Sequence, residues 1–304
     1  LIKNAQDFSD TALVVITRVG GEGADLPTDV SKVTYTDNSK DYKDFEPGEH
    51  YLQLSQTEKN MLDMVCSDFD NVVVVYNGAN AMELGFLNDY EQIKGAVWCP
   101  GTGQAGFNGL GVILSGEVNP SAKTSDTFVR DLTATQTGFT GKEETTTPSF
   151  INYVEGIYVG YRFYETAASE GLIDYDKTVL YPFGYGLSYT TFTQEMGKIT
   201  ENDGTISFDV TVTNTGDTAG KDVVEVYYNP PYTNGGIEKA SANLIAYDKT
   251  KSLEPGESQT LTISFKAEDM ASYDYQKEKG YVLEAGDYEI SINTDSHHII
   301  ESET

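Results

Sequence analysis

The sequence predicts an α/β fold with a mostly parallel sheet, followed by an all-β fold, an antiparallel β-sandwich. Three observations carry this. Short, unbroken apolar runs alternate with helical patterns in the first half, and strictly alternating apolar and polar residues fill the stretch after residue 195. The length of 304 residues suits two domains at about 150 residues each, and 38% hydrophobic residues are enough to build two cores.

Ala12 to Ile16 reads as a continuous buried strand, closed by the glycine-rich Gly20 to Gly23. A polar, acidic stretch of about 30 residues follows, read as a long loop. Ser55 and Glu58 then form a capping box, with Leu62, Val65, Cys66 and Phe69 on one helical face behind it. Val72 to Tyr76 and Gly95 to Cys99 are two further buried strands, and Ala105 to Leu114 suits a helix packed closely on the sheet. Strand and helix in alternation mean a parallel sheet with helices on both faces. Ligands of such sheets gather beyond the carboxyl ends of the strands. Gly20 to Asp25, Asn77 to Asn80 and Pro100 to Gln104 occupy that position.

After residue 195 the period becomes two. Ile206, Phe208, Val210 and Val212 alternate with polar residues, as do Val224, Val226 and Tyr228. Turns at Asn214 to Asp217, Pro255-Gly256 and Gly286-Asp287 separate these from Leu261, Ile263, Phe265 and from Tyr288, Ile290, Ile292. Several short alternating strands with turns between them describe a β-sandwich. The expected domains are 1–195 and 196–304. Between them lie two tyrosine-rich segments, Asn152 to Tyr164 and Tyr181 to Tyr189, suited equally to an inter-domain seam and to a sugar-binding cleft.

Lys and Arg number 20 against 48 Asp and Glu, a formal charge of −28. Such a field repels phosphate backbones and anionic lipid, so neither nucleic acid nor a membrane is an expected partner. No apolar run approaches the roughly 18 residues that would span a bilayer. Cys66 and Cys99 sit in apolar stretches and read as small core residues, and nothing in their spacing suggests zinc. No signal peptide is visible at Leu1, and the cytoplasm is favoured over secretion, with localisation otherwise open. The abrupt start in a core strand suggests a piece of something longer.

Seven segments in order resemble the second and third domains of glycoside hydrolase family 3, over Phe8 to about His297. They are Ile16-Thr17-Arg18-Val19-Gly20-Gly21-Glu22-Gly23-Ala24-Asp25, Met82-Glu83-Leu84-Gly85, Gly116-Glu117-Val118-Asn119-Pro120-Ser121, the two aromatic segments, Val212-Thr213-Asn214-Thr215-Gly216 and Leu253-Glu254-Pro255-Gly256-Glu257-Ser258. The resemblance implies an α/β sandwich followed by a fibronectin type III-like β-sandwich. It also implies a (β/α)₈ barrel bearing an aspartate nucleophile, for which the sequence has no room, since eight βα units need roughly 250 residues. The closing segment, Tyr281 to His297, is similar to members of reversed domain order, which places the barrel after the fibronectin-like domain, in the same protein or a companion chain.

Retaining glycoside cleavage needs two carboxyl groups about 5 to 5.5 Å apart, one attacking the anomeric carbon and one serving as acid, then base. Carried over from the family, the acid/base is Glu22. Its glycine neighbours let a loop reach across a cleft and let substrate approach the backbone. Read from the residues alone, Glu22 is one of 48 acids and as well a solvated loop glutamate. A phosphate-cradling loop is disfavoured, since no Lys-Ser/Thr follows.

Arg18 and Asp25 flank this loop and are expected to pair. Glu83 and Glu155 read as structural, and Trp98 as a core residue rather than a sugar platform. His50, His297 and His298 are expected to be exposed and to bind no metal. The implied activity is that of a retaining exo-β-glycosidase, foremost a β-glucosidase, acting on an oligosaccharide or glycoside without a cofactor. Two alternatives stand beside it: a non-catalytic carbohydrate-binding or assembly module, and the same enzyme class acting on β-xylosides or α-L-arabinosides. A homodimer through the fibronectin-like domain is a further option.

Overall fold

The computed structural model describes residues 2–20, 26, 30, 44–134 and 155–304. The chain separates into two compact units, Leu1–Leu110 with Phe128–Asn152, and Gly111–Thr127 with Tyr153–Thr304.

In the first unit, α1 (Ile2–Gln6) precedes β1 (Thr11–Thr17), α2 (Gln56–Asp68), β2 (Asn71–Asn77) and β3 (Ile93–Trp98). The three strands form a parallel sheet in the order β1-β2-β3, with Val14 beside Val74 and Val74 beside Ala96. Helix α2 starts where the capping box predicts. The Ser55 hydroxyl accepts from the Glu58 N–H, the Glu58 carboxylate accepts from the Ser55 N–H, and Leu62 and Cys66 are buried on the apolar face.

Two expectations are corrected here. The apolar run of β1 is buried on one face only: Val14 and Ile16 are buried, but Leu13 and Val15 are 53% and 48% exposed. A continuous apolar run implies cover on both faces, and no described residue covers the second. Helix α3 (Phe107–Leu114) forms inside the expected segment, yet none of its residues is buried, and Phe107 and Leu114 are exposed.

In the second unit, helices α4 (Tyr161–Ser169) and α5 (Tyr175–Thr178) precede the β-sandwich. One sheet has β9 (Ser258–Lys266), β6 (Thr205–Asn214) and β4 (Phe192–Met196) in that order, with β5 (Thr200–Asn202) also on β6. The other has β8 (Asn243–Lys249), β7 (Val223–Asn229), β12 (Glu289–Asn293) and β13 (Ile299–Glu303). All these pairs are antiparallel. A separate hairpin joins β10 (Ser272–Asp274) to β11 (Gly280–Val282). The alternating residues meet in one core: Ile206, Phe208, Val210 and Val212 from β6, Val224, Val226 and Tyr228 from β7, Leu261, Ile263 and Phe265 from β9, and Ile290 and Ile292 from β12. Each fully buried Val, Leu, Ile or Phe stabilises such a sandwich by about 1.5–3 kcal/mol.

Candidate active-site edge of the α/β domain

The carboxyl ends of β1, β2 and β3 are tied into one edge. The Arg18 N–H donates to Asn77 O, and the Cys99 N–H to Tyr76 O. The Asn77 side chain donates to Cys99 O (2.7 Å), the Trp98 indole to Gly78 O (2.8 Å) and the Tyr76 hydroxyl to Asn80 O (2.7 Å). Burial pushes the Tyr76 phenol up to about 12, so it stays a donor. A side chain at Gly78 would strike that phenol, which explains the glycine there. Trp98 is half-buried, edge-on to Phe128 at 5.0 Å.

The dominant feature of this edge is Arg18. Its Nη1 and Nη2 bind Glu58 Oε1 and Oε2 at 2.7 and 2.6 Å. The remaining donors reach three main-chain carbonyls, of Thr17, Tyr51 and Gln53. A guanidinium has five N–H donors, and all five are used. Arg18 is buried and forms a bidentate pair with Glu58, a partner the sequence does not suggest. Asp25 itself lies outside the described residues.

His50 is also corrected. It is wholly buried rather than exposed, its Nε2 3.0 Å from Glu83 Oε1 and its Nδ1 accepting from the Leu52 N–H. With Nδ1 accepting, the ring faces the Glu83 carboxylate through Nε2 as donor. Glu83 also accepts from Gln53 Nε2 (3.0 Å) and the Leu132 N–H (2.7 Å), so its carboxylate holds three segments together. The acidic composition of the loop hides this cluster, because burial of a charged residue follows from its partners and not from its neighbours in sequence.

Glu22 lies outside the described residues. The residues bracketing its loop are described: a Cβ on Gly20 would sit 3.2 Å from Leu26 Cγ and 3.3 Å from Asn80 Oδ1. The chain thus leaves at Gly20 and is back against it at Leu26, over the end of β2. Among the described residues no three His, Cys, Asp or Glu side chains converge on a metal site, and no described helix is long and apolar enough to cross a membrane.

Comparison with known proteins settles the kinship of this fold. The profile of the glycosyl hydrolase family 3 C-terminal domain matches residues 2–189, and that of a fibronectin type III-like domain matches residues 222–296. The chain belongs to glycosyl hydrolase family 3. Beta-glucosidase A of Butyrivibrio fibrisolvens is 36% identical over 321 residues, covering 97% of this chain and 37% of that protein. A beta-glucosidase of Ruminococcus albus is 33% identical over 304 residues, covering 97% of this chain and 28% of that protein. The solved structure of beta-glucosidase 3B from Thermotoga neapolitana in complex with alpha-D-glucose superposes with a TM-score of 0.81 at 30% identity, over 99% of this chain and 38% of that one. The chain therefore spans about a third of the length of the relatives it matches.

Several family 3 motif residues have structural work in the second unit. Asn214 is wholly buried with its amide saturated: Oδ1 accepts from Thr190 Oγ1 and the Gly216 N–H, and Nδ2 donates to Thr218 O and Leu253 O. Asn119 Oδ1 accepts from the Ser188 hydroxyl and the Tyr189 N–H, while its Nδ2 reaches Ala219 O. The tyrosine-rich segments pack on the sandwich. Tyr161 stacks on Phe183 at 4.7 Å, and its hydroxyl accepts from the Leu244 N–H. Asn152, Tyr153 and Val154 lie outside the described residues.

Two buried glutamates escape a reading of the sequence. Glu225 is buried on β7, where desolvation pushes its carboxyl up to about 7 against the opposing hydrogen bond from Tyr227. Gly184, in the left-handed region at φ +83°, leaves room for it, since a Cβ there would collide with the carboxylate. Glu165 Oε1 accepts from Tyr175 (2.7 Å) and Ser296 (2.9 Å), and its Oε2 from His297 Nδ1 (2.8 Å). His297, expected to be exposed, is therefore half-buried and stacked on Tyr175 at 3.6 Å. Its hydrogen bond to Glu165 raises its pKa against the opposing effect of burial. No local spacing links residues 132 positions apart, so the sequence carries no signal for this pair. His298 is exposed and bound to Asp295.

Proposed function

We propose that this chain is the α/β part (residues 1–195) and the fibronectin-like part (196–304) of a retaining exo-β-glycosidase, foremost a β-glucosidase. The match of 97% of the chain to a beta-glucosidase at 36% identity carries the reading. Glu22 is the general acid/base: it protonates the leaving glycosidic oxygen, then takes a proton from the water that releases the sugar. The nucleophile is an aspartate on a (β/α)₈ barrel, in the same protein or a companion chain. The two carboxyl groups suffice for this chemistry, so no cofactor enters it.

The Arg18 cluster supports the role of Glu22 by fixing the start of its loop. With all five donors satisfied, Arg18 cannot swing toward a ligand, and the loop leaves a rigid base. Loops held by a rigid scaffold are a common seat for catalytic groups.

The test is hydrolysis of aryl β-glucosides, β-xylosides and α-L-arabinosides by the protein with its barrel in place, beside the isolated 304 residues. The expected result is a preference for the glucoside and no turnover by the isolated chain. Glu22-dependent hydrolysis by the isolated chain would contradict the division of the carboxylate pair, and a preference for another sugar would move the assignment of substrate.

A further inference from the structure

The sequence contains three Asn-Gly pairs, at Asn77, Asn108 and Asn234. Such a pair carries a latent reaction. Glycine has no Cβ to shield its backbone nitrogen, so that nitrogen can reach the side-chain amide carbon of the preceding asparagine. The sequence treats the three pairs alike, and the structure does not.

Two of them are held. Asn77 is half-buried at the end of β2, and its Nδ2 donates to Cys99 O at 2.7 Å, which ties the amide to the end of β3. Its own carbonyl accepts from the Arg18 N–H, fixing the peptide that leads to Gly78. Asn108 lies in α3, where the Gly109 N–H donates to Gly106 O at 2.9 Å, so the attacking nitrogen is engaged in the helix.

Asn234 is held by nothing comparable. It is exposed, in the connection between β7 and β8. Its turn is closed by a single hydrogen bond, from the Gly236 N–H to Thr233 O at 2.8 Å. Among the described residues nothing bonds the Asn234 amide or the Gly235 N–H. Gly235 sits at φ +80° in open space, where its freedom of rotation is not restrained by neighbours. An exposed turn with so few contacts opens at little cost. Both sides of it are anchored: buried Lys239 pairs with Glu284 and donates to Pro231 O, and the Tyr158 hydroxyl donates to Glu238. The opening is thereby confined to the turn.

We propose that Asn234 is a site of spontaneous deamidation, with the Gly235 nitrogen as internal nucleophile and water as the only co-reactant. The Gly235 nitrogen gives up its proton and bonds to Asn234 Cγ. The Cγ–Nδ2 bond breaks, and ammonia leaves with that proton, closing a succinimide. Water then opens the ring at either carbonyl, leaving aspartate or isoaspartate at position 234 and one further negative charge on an already acidic chain. No oxidation or reduction occurs. The site goes beyond the proposed hydrolysis of glycosides and does not depend on it.

The test is incubation of the purified protein in ¹⁸O-labelled water at mildly alkaline pH, followed by tryptic mass spectrometry. Each pair falls in its own tryptic peptide, 60–94, 95–123 or 222–239, so the three are read separately. In the folded protein Asn234 should take up label at least about tenfold faster than Asn77 or Asn108, and in guanidinium chloride the three rates should converge. Asn234→Gln, which moves the amide carbon one methylene further from the Gly235 nitrogen, should abolish the label in peptide 222–239. Asn77 or Asn108 converting as fast as Asn234 in the folded protein would overturn the proposal. So would an Asn234 that stays intact over a time in which the unfolded chain converts, or label in peptide 222–239 that survives Asn234→Gln.

Discussion

Arg18 and Glu58 form a bidentate ion pair at 2.7 and 2.6 Å, and the same Glu58 carboxylate caps helix α2 by accepting from the Ser55 N–H. One side chain thus joins the end of β1 to the start of α2. The Arg18 side chain is 3% exposed and also holds three carbonyls, so its removal strands several buried acceptors at once. Arg18→Met should cost about 3–5 kcal/mol in urea unfolding, as breaking a buried pair does. Arg18→Lys should recover little, because an ammonium has three donors and no fork. Lysine performing as well as arginine would show that charge alone matters here.

Asn214 is the second structural keystone. Both of its amide lone-pair bonds and both of its N–H bonds are internal, and they join β6 to the turns at Thr218 and Leu253. Asn214→Ala should destabilise the sandwich by at least ~2 kcal/mol, since it leaves buried groups unpaired. Chemical denaturation of the variant measures it, and a loss under half that size would mean that water replaces the amide.

Glu225 predicts a pH dependence. Its folded pKa of about 7 exceeds the ordinary 4.5, so the folded state keeps a proton that the unfolded chain releases. Stability from this group is full below pH 4.5 and is lost as pH rises through about 7. At about 1.4 kcal/mol per pH unit the loss is ~3 kcal/mol. Glu225→Gln should flatten the melting temperature across that window, and an equally steep profile in the variant would assign the effect elsewhere.

His297 works with the same sign. Its pKa is raised above 6.5 first by the hydrogen bond to Glu165, so the protonated pair adds stability below the unfolded value and loses it as pH rises through the folded one. NMR titration should place the His297 midpoint above that of a free histidine, and Glu165→Gln should bring it down. A midpoint indifferent to Glu165 would contradict the pairing.

The sequence made the sandwich legible almost residue by residue, because a period of two with one buried face leaves a single register for Ile206 to Val212 and their partners. The capping box at Ser55 and Glu58 was equally legible, being local chemistry within four residues. What escaped was long-range. Arg18 with Glu58, His50 with Glu83 and Glu165 with His297 are separated by 40, 33 and 132 positions. Buried polar pairs of this kind have no periodicity, and composition argues against them. The apolar run of β1 failed for the opposite reason, since hydrophobicity reports what a face could bury and not whether a described neighbour covers it.

The central claim is the role of Glu22 in the protein with its barrel in place, and replacing it with alanine tests that claim most directly. The measurement is kcat/KM for cellobiose and for an activated aryl β-glucoside in the same variant. General acid catalysis supplies about 10²–10⁴ in rate, so Glu22→Ala should lose that much on the disaccharide and far less on the aryl glucoside, whose leaving group needs no proton. Undiminished turnover of cellobiose by the variant would contradict it.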